Sequence, residues 1–450
     1  MTDQALKPRA GEAAAPPPTA PITTGDRRRI LAVDATRGAA LLGMIAVHSL
    51  NDTDALGQPT WSTTIFSGRA AAAFAVLTGV TIAFLTGRRR VRASAALPTM
   101  TALLIRALAI AAIGFALGYT NAATATVILP YYAVMLLLTI PLVFLPTWLV
   151  AFTGIAVTGG MPVLTHLWLP RLTGPTQPNL TFGWLFTHPL ESLTQLSITG
   201  MYPALTWMAY LCAGIVIGRL NLARLRTAIA LLATGTVFAV AAAVTASRLS
   251  QLALEHIWPA QYASTLDEYE TLDMLNLGGD GTAPTSTWWW LAIDSPHTGT
   301  PLDLLGTTGT AVALLGIMLL VARIARPTAL RWLVAAVQTP LGAAGSITLT
   351  LYTLHTVFMS SSYDTYTPTT GFLVQLGGVL FLGLCVRATI GKGPLEALVT
   401  ALTRAGRRWA TPPSRRPPRA QPHRTSANAP VAGQPGGEPA TIPVSSEASR

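Results

Sequence analysis

The stretch from Val33 to His48, VDATRGAALLGMIAVH, combines an acid, a base and an imidazole with residues that are otherwise apolar or small. Asp34, Arg37 and His48 recur at helical spacing, so on an α-helix they share one face. At about 1.5 Å per residue, His48 lies about 16 Å along the axis from Arg37. The pattern predicts a helix with a guanidinium near one end and a titratable ring near the other.

These side chains suit a site that holds an anion at one end and moves a proton at the other. A planar guanidinium matches phosphate, and an imidazole exchanges a proton near neutral pH. Two structural alternatives remain open. Asp34 and Arg37 could form an ion pair at the start of the helix, and His48 could be an interior histidine that only makes hydrogen bonds.

Two further apolar stretches carry polar residues at depth. GSITLTLYTLH places His355 on the polar face of a helix, and SGRAAAAFAVLTGV places Arg69 among small residues. Such groups usually face the interior of a helix bundle or a wet cavity. Arg69 needs an anionic or carbonyl partner, for which Asp52, Asp54 and a bound substrate are candidates. For His355 the alternative is interior hydrogen bonding.

Arg106, Tyr132 and His297 complete the set of candidates. Arg106 starts a predicted span and could converge with Arg37 on an anion, or be an ordinary cytoplasmic arginine. Tyr131 and Tyr132 point to different faces of a helix, so we expect at most one of them to line a site. His297, in DSPHTGTPLDLL, lies among turn-forming residues just before a span, at the lip of a site or in solvent.

The composition indicates the elements that must position these residues. The chain of 450 residues is 51% hydrophobic and 11% charged, whereas soluble domains are about one-quarter charged. About ten apolar runs of membrane-spanning length predict an all-α integral membrane protein with about ten transmembrane helices. The net charge of +11 comes from arginine clusters between these runs, which favours the inside-positive pattern over nucleic-acid binding. Metal-binding and nucleotide-binding motifs are absent from the sequence, so we predict no metal site.

The organisation follows from where the apolar runs stop. We predict a disordered arm over 1–26, a membrane domain over 27–404 and a disordered tail over 405–450. Two long outer loops, 169–199 and 248–302, interrupt the membrane domain. The arginine distribution places both termini in the cytoplasm, and we expect the protein in the plasma membrane.

The order Asp34, Arg37, His48 resembles the first-span motif of membrane acyltransferases that modify extracytoplasmic glycans. More closely, the chain resembles bacterial relatives of the heparan-α-glucosaminide N-acetyltransferase. The stretches that carry this likeness are RILAVDATRGAALLGMIAVH, FSGRAAAAFAVLTGV, ILPYYAVMLLLTIP, TGMYPALTWMAYLCAGIVIGRL, PHTGTPLDLL, GSITLTLYTLH and GKGPLEAL.

The resemblance implies a transmembrane acyltransferase-like bundle. Acyl-CoA, in the first place acetyl-CoA, would enter from the cytoplasm, and its acyl group would pass to an extracytoplasmic glycan or lipid-linked acceptor. His48 would be the general base or would carry the acyl group itself. The residues assigned to the coenzyme are Arg37, Arg106 and Asp34; those assigned to catalysis are His48 and His355; those assigned to the acceptor are Arg69, His297 and Tyr132.

Two features depart from the family pattern. The stretch Gly57–Trp61 lacks the loop histidine of the glucosaminide enzyme, and the third span has Arg106 where the broader group often has two arginines. Two other functions therefore stay open: a transporter or channel, and a degenerate family member that serves as an assembly partner. A homodimer also stays open.

Overall fold

The computed structural model of the protein describes residues 24–261, 267–324 and 327–411. Within these ranges the regular structure is helical and contains no strand, which confirms the all-α class. Most of the predicted arm and tail lies outside the described residues. The last helix extends to Trp409, past the predicted boundary at 404, because the residues after Arg404 continue its amphipathic pattern.

Sixteen α-helices follow one another in the described ranges. The first eight are α1 (Thr24–Ser49), α2 (Trp61–Phe66), α3 (Arg69–Leu85), α4 (Ala96–Leu117), α5 (Leu129–Leu142), α6 (Thr147–Trp168), α7 (Phe182–Thr187) and α8 (Pro189–Thr194). The others are α9 (Ala204–Arg219), α10 (Leu225–Gln261), α11 (Glu268–Asn276), α12 (Pro301–Val321), α13 (Thr328–Ser346), α14 (Thr348–Met359), α15 (Pro368–Thr389) and α16 (Pro394–Trp409).

In the part of the chain that the structure describes, seven helices are long and apolar enough to cross a membrane. The number rises to nine if each of two bent pairs is one span. One pair joins Pro189–Thr199 to α9 with a bend of 52°, and the other joins α13 to α14 with a bend of 80°. The apolar helix α5 is shorter, at 14 residues. The protein is therefore a multi-pass membrane protein, while the count of about ten spans and the cytoplasmic termini stay predictions.

The bend between α13 and α14 divides what the sequence analysis treats as one span. Glycine and alanine residues at the end of α13 allow it to press against α1, and the chain then turns at Ile347. This turn exposes Ser346 and Thr348 to a cavity in the bundle. Irregular backbone at membrane depth is tolerated where it lies inside the protein or lines a cavity.

The predicted outer loop 248–302 is largely ordered. Helix α10 continues to Gln261, and α11 begins with a capping box between Asp267 and Glu270. A small apolar cluster around the fully buried Trp290 joins this segment to α10. The loop thus has its own core, and this core fixes the backbone just before α12.

The contact between α1 and α13 yields a stability prediction. A Cβ added at Gly345 would lie 1.7 Å from the carbonyl oxygen of Asp34, so the two helix backbones would have to separate. We expect Gly345→Ala to destabilise the protein by about 1–3 kcal/mol, measured as a lower melting temperature in detergent. Gly377 on α15 is the control, since a Cβ there meets nothing within 4 Å. Equal melting temperatures for the two alanine variants would contradict the close contact.

Candidate active site

The arginine cavity, of about 220 Å³, lies beside the middle of α1 and is lined by Arg37, Arg106 and Glu396 among others. Arg37 forms an ion pair with Asp34 at 2.6 Å and also donates a hydrogen bond to Thr81. Asp34 is not part of the lining. The structure therefore forms the ion pair that the spacing left open, and Asp34 holds the guanidinium that faces the cavity.

Glu396 is a site residue that the sequence analysis missed, although it lies in the stretch GKGPLEAL. Its carboxylate accepts hydrogen bonds from the backbone nitrogen of Thr350 at 3.0 Å and from the Thr350 hydroxyl at 2.6 Å. These bonds tie the start of α16 to the start of α14. As a result, both oxygens of the carboxylate that lines this cavity beside Arg37 and Arg106 already accept a hydrogen bond.

A middle cavity of about 130 Å³ adjoins the arginine cavity, with which it shares Phe74, Thr78 and Arg106 among its lining residues. A smaller histidine cavity of about 40 Å³ follows, and it shares Met44 and Phe74 with the middle one. The three cavities thus lie next to one another, and each has residues of α1 in its lining. We call them the cavity row.

The histidine cavity contains the imidazole that the sequence placed near the far end of α1, together with a second imidazole from the segment before α12. His48 and His297 line it together with Tyr202 and Tyr352. His355 is not in the lining but lies behind His48, with His48 Nδ1 and His355 Nε2 3.0 Å apart. The two rings are nearly parallel, at 6°.

His355 continues the contact into α15. Its Nδ1 is hydrogen-bonded to Oε1 of Gln375, and Nε2 of Gln375 donates to the Ser49 hydroxyl at 3.2 Å. Gln375 is buried. Gln375 is not among the candidates predicted from the sequence, although a glutamine within the apolar run FLVQLGGVL is a detectable signal.

His297 is held by the segment before α12. The backbone N–H of Gly68, at the N-cap of α3, donates to His297 Nε2 at 3.1 Å, and the His297 carbonyl accepts from Gly281 at 2.8 Å. Its φ of 57° lies in the left-handed region, which non-glycine residues adopt mainly where surrounding contacts enforce it. Burial lowers the pKa of His297 to about 4, so the ring is neutral at pH 7.

A fourth cavity, the loop cavity, has a volume of about 250 Å³ and lies beside the histidine cavity, with which it shares Thr126. Its polar lining includes Tyr131, Gln195 and Asp280. Tyr132 meanwhile lines the middle cavity. The two tyrosines therefore line different cavities on the two sides of α5, and the expectation that at most one of them lines a functional site stays a prediction.

Arg69 is half-buried and donates a hydrogen bond to the Thr64 carbonyl at 2.6 Å. The sequence predicts an anionic or carbonyl partner for Arg69, and the Thr64 carbonyl is such a partner. Arg69 lines none of the four cavities described above. Its contact with an acceptor stays a prediction.

The fold and the cavity row define a class: a multi-pass α-helical membrane protein with adjoining internal cavities, the first lined by guanidinium groups and the last by imidazoles. The catalytic model of the heparan-alpha-glucosaminide N-acetyltransferase family matches residues 29–253. The chain belongs to this family and is a membrane protein of the acetyltransferase type. Comparison with curated proteins found none that matches the chain.

The family match begins within α1 and ends within α10. It therefore includes Arg37, His48 and Arg106. His297, His355, Gln375 and Glu396 come from the part of the chain beyond the match, and only the packing of helices α12 to α16 brings them to the site. In the described ranges, no group of three or more histidine, cysteine or acidic residues is arranged to hold a metal ion.

Proposed function

We propose that the protein is an acyl-CoA-dependent transferase that moves an acyl group, in the first place acetyl, to a saccharide or other cell-envelope acceptor. The observation that carries this proposal is the cavity row. Arg37 and Arg106 line its first cavity and His48 lines its last, and successive cavities share lining residues.

The lining of the row fits the chemistry of a coenzyme thioester. Two guanidinium groups face the arginine cavity against one carboxylate, and that carboxylate already accepts two hydrogen bonds from Thr350. Guanidinium groups recognise phosphate through several donors at once. The middle cavity is mainly apolar, with Ile110 and Leu136 in its wall, and suits an extended pantetheine arm.

His48 would act where the row ends. Its Nε2 takes the proton of the acceptor hydroxyl or amine as the acceptor atom bonds to the thioester carbon. The same nitrogen then returns this proton to the sulfur as the carbon–sulfur bond breaks, so that the products are the acylated acceptor and free CoA thiol. General-base catalysis of this kind contributes about 10²–10⁴-fold.

The loop cavity is our candidate site for the acceptor. It adjoins the histidine cavity at Thr126 and offers hydroxyl, amide and carboxylate groups from Tyr131, Gln195 and Asp280. Such groups bind the hydroxyls of a sugar through hydrogen bonds. Access from this side would keep the acceptor and the coenzyme on opposite sides of His48.

The proposal is tested with purified protein in lipid nanodiscs and acetyl-CoA as the probe. We expect heat stabilisation by acetyl-CoA and slow release of CoA thiol, faster with glucosamine as a probe acceptor. Arg106→Gln should weaken acetyl-CoA binding by about tenfold, the effect of losing roughly 1.4 kcal/mol. Arg171→Gln is the control, because Arg171 is exposed and lies outside the row.

Absence of both acetyl-CoA binding and thiol release in the wild-type protein would overturn the proposal. Uptake of a labelled solute into proteoliposomes without thiol release would favour a transporter.

A further inference from the structure

We infer that His355 and Gln375 are positioning residues that fix the tautomer of His48, so that its Nε2 lone pair faces the histidine cavity. This inference rests on the proposed function, in which His48 is the base. It gives His355 a different role from the catalytic one expected from the sequence.

The hydrogen bonds determine which nitrogen of each imidazole carries the hydrogen. Gln375 turns its oxygen Oε1 toward His355, and its Nε2 donates to the Ser49 hydroxyl. An amide oxygen only accepts, and His355 Nδ1 must therefore carry the hydrogen. In a neutral imidazole the other nitrogen is then an acceptor.

The same assignment of donor and acceptor applies to His48. His355 Nε2 accepts, so His48 Nδ1 donates to it across 3.0 Å. His48 Nε2 is left without a proton, on a ring that lines the histidine cavity. The chain Ser49–Gln375–His355–His48 thus holds His48 in the tautomer that a general base needs.

The chain also assists the step in which His48 becomes positively charged. Protonation at Nε2 strengthens the bond from Nδ1–H to His355, because bonds with a charged donor are shorter and stronger. His355 is buried at 3% exposure and is itself oriented by Gln375. The carbonyl dipole of Gln375 therefore stabilises the charge through an intervening ring.

An amide suits this depth better than a carboxylate would. Gln375 and His355 belong to helices of the membrane-spanning bundle, where a fixed charge without a partner is costly. In the resting state the chain is neutral throughout. The arrangement gives up the stronger pull of a carboxylate and avoids the cost of a buried anion.

The test uses two variants of Gln375 and a matched control. Gln375→Met removes the acceptor, and we expect kcat for CoA release to fall by about 10²-fold with the KM for acetyl-CoA unchanged. Gln375→Glu keeps an acceptor, so kcat should stay within about tenfold of the wild type, while the acid limb of the pH profile moves up by about one pH unit because a carboxylate favours the imidazolium. Gln338→Met is the control, since Gln338 is equally buried but donates to the Met318 carbonyl outside the site.

A second measurement does not depend on activity. In ¹⁵N-histidine spectra of the protein in bilayers, with His48 assigned by comparison with His48→Asn, we expect the wild-type ring to be protonated at Nδ1 only. Gln375→Met should produce a mixture of tautomers, and Gln338→Met should not.

The possible outcomes separate this inference from the proposed function. If Gln375→Met and Gln338→Met lower kcat equally and leave the His48 spectrum unchanged, the positioning role is refuted while the transferase proposal stands. If the wild-type protein shows the predicted tautomer but neither binds acetyl-CoA nor releases thiol, the proposed function fails and the hydrogen-bond chain remains.

Discussion

His48→Asn is expected to lower acetyl-CoA turnover by about 10²–10⁴-fold, the contribution of a general base. Asparagine can still donate a hydrogen bond to His355, but it has no nitrogen able to take a proton at neutral pH. Binding of acetyl-CoA should be retained, because Arg37 lies about 16 Å away along α1 and Arg106 lines a different cavity from His48. The measurement is the rate of CoA thiol release, with binding followed by heat stabilisation.

His166→Asn provides the matched control for this prediction. His166 is a buried imidazole on α6 that contacts Trp288 and lies outside the lining of the cavity row. We expect its loss to leave thiol release within about threefold of the wild type, because it touches no group that we assign to the reaction. Turnover that survives in His48→Asn but disappears in a variant of His297 would move the base to the other imidazole of the same cavity.

Met44→Trp is expected to abolish thiol release by closing the passage between the middle and histidine cavities. Met44 and Phe74 each line both cavities. A tryptophan at this position occupies space that the row needs, so a thioester bound at the arginine cavity could not extend to His48. Acetyl-CoA turnover should fall below detection, while free 3′,5′-ADP should still stabilise the protein against heating.

Two variants control for the size of the new side chain. Met44→Leu conserves volume and should leave most activity, and Leu108→Trp adds the same indole at a position on α4 that is 57% exposed. Normal turnover in a well-folded Met44→Trp variant would mean that the thioester does not travel along the row. That result would leave the family assignment intact and remove the passage from the mechanism.

The sequence predicted those features that depend on the residues of a single helix. The polar face of α1 could be read from spacing, because residues three and four positions apart on a helix share a side regardless of what surrounds it. The apolar runs likewise predicted a helical membrane protein, because a bilayer requires backbone hydrogen bonds to be satisfied within each segment. The side chains of Arg37 and His48 both line cavities of the row, while the roles assigned to them stay predictions.

Tertiary structure decided how the separate faces meet. His48 and His355 are 307 residues apart, and Gln375 reaches them from a third helix. Nothing in the spacing of α1 specifies which residue will oppose His48, because that depends on how α13, α14 and α15 pack around it. The same holds for Glu396, which enters the arginine cavity only because α16 is tied to the start of α14.

By itself, then, the sequence determined the helical membrane class and the two ends of the polar face on α1. It did not determine the bend at Ile347, the cavities on both sides of α5 or the partners of each imidazole. The physical reason is that helix periodicity is a local property of the backbone, whereas a cavity is the space left between several packed helices. A hydrogen-bonded chain through three helices exists only once their relative positions are fixed.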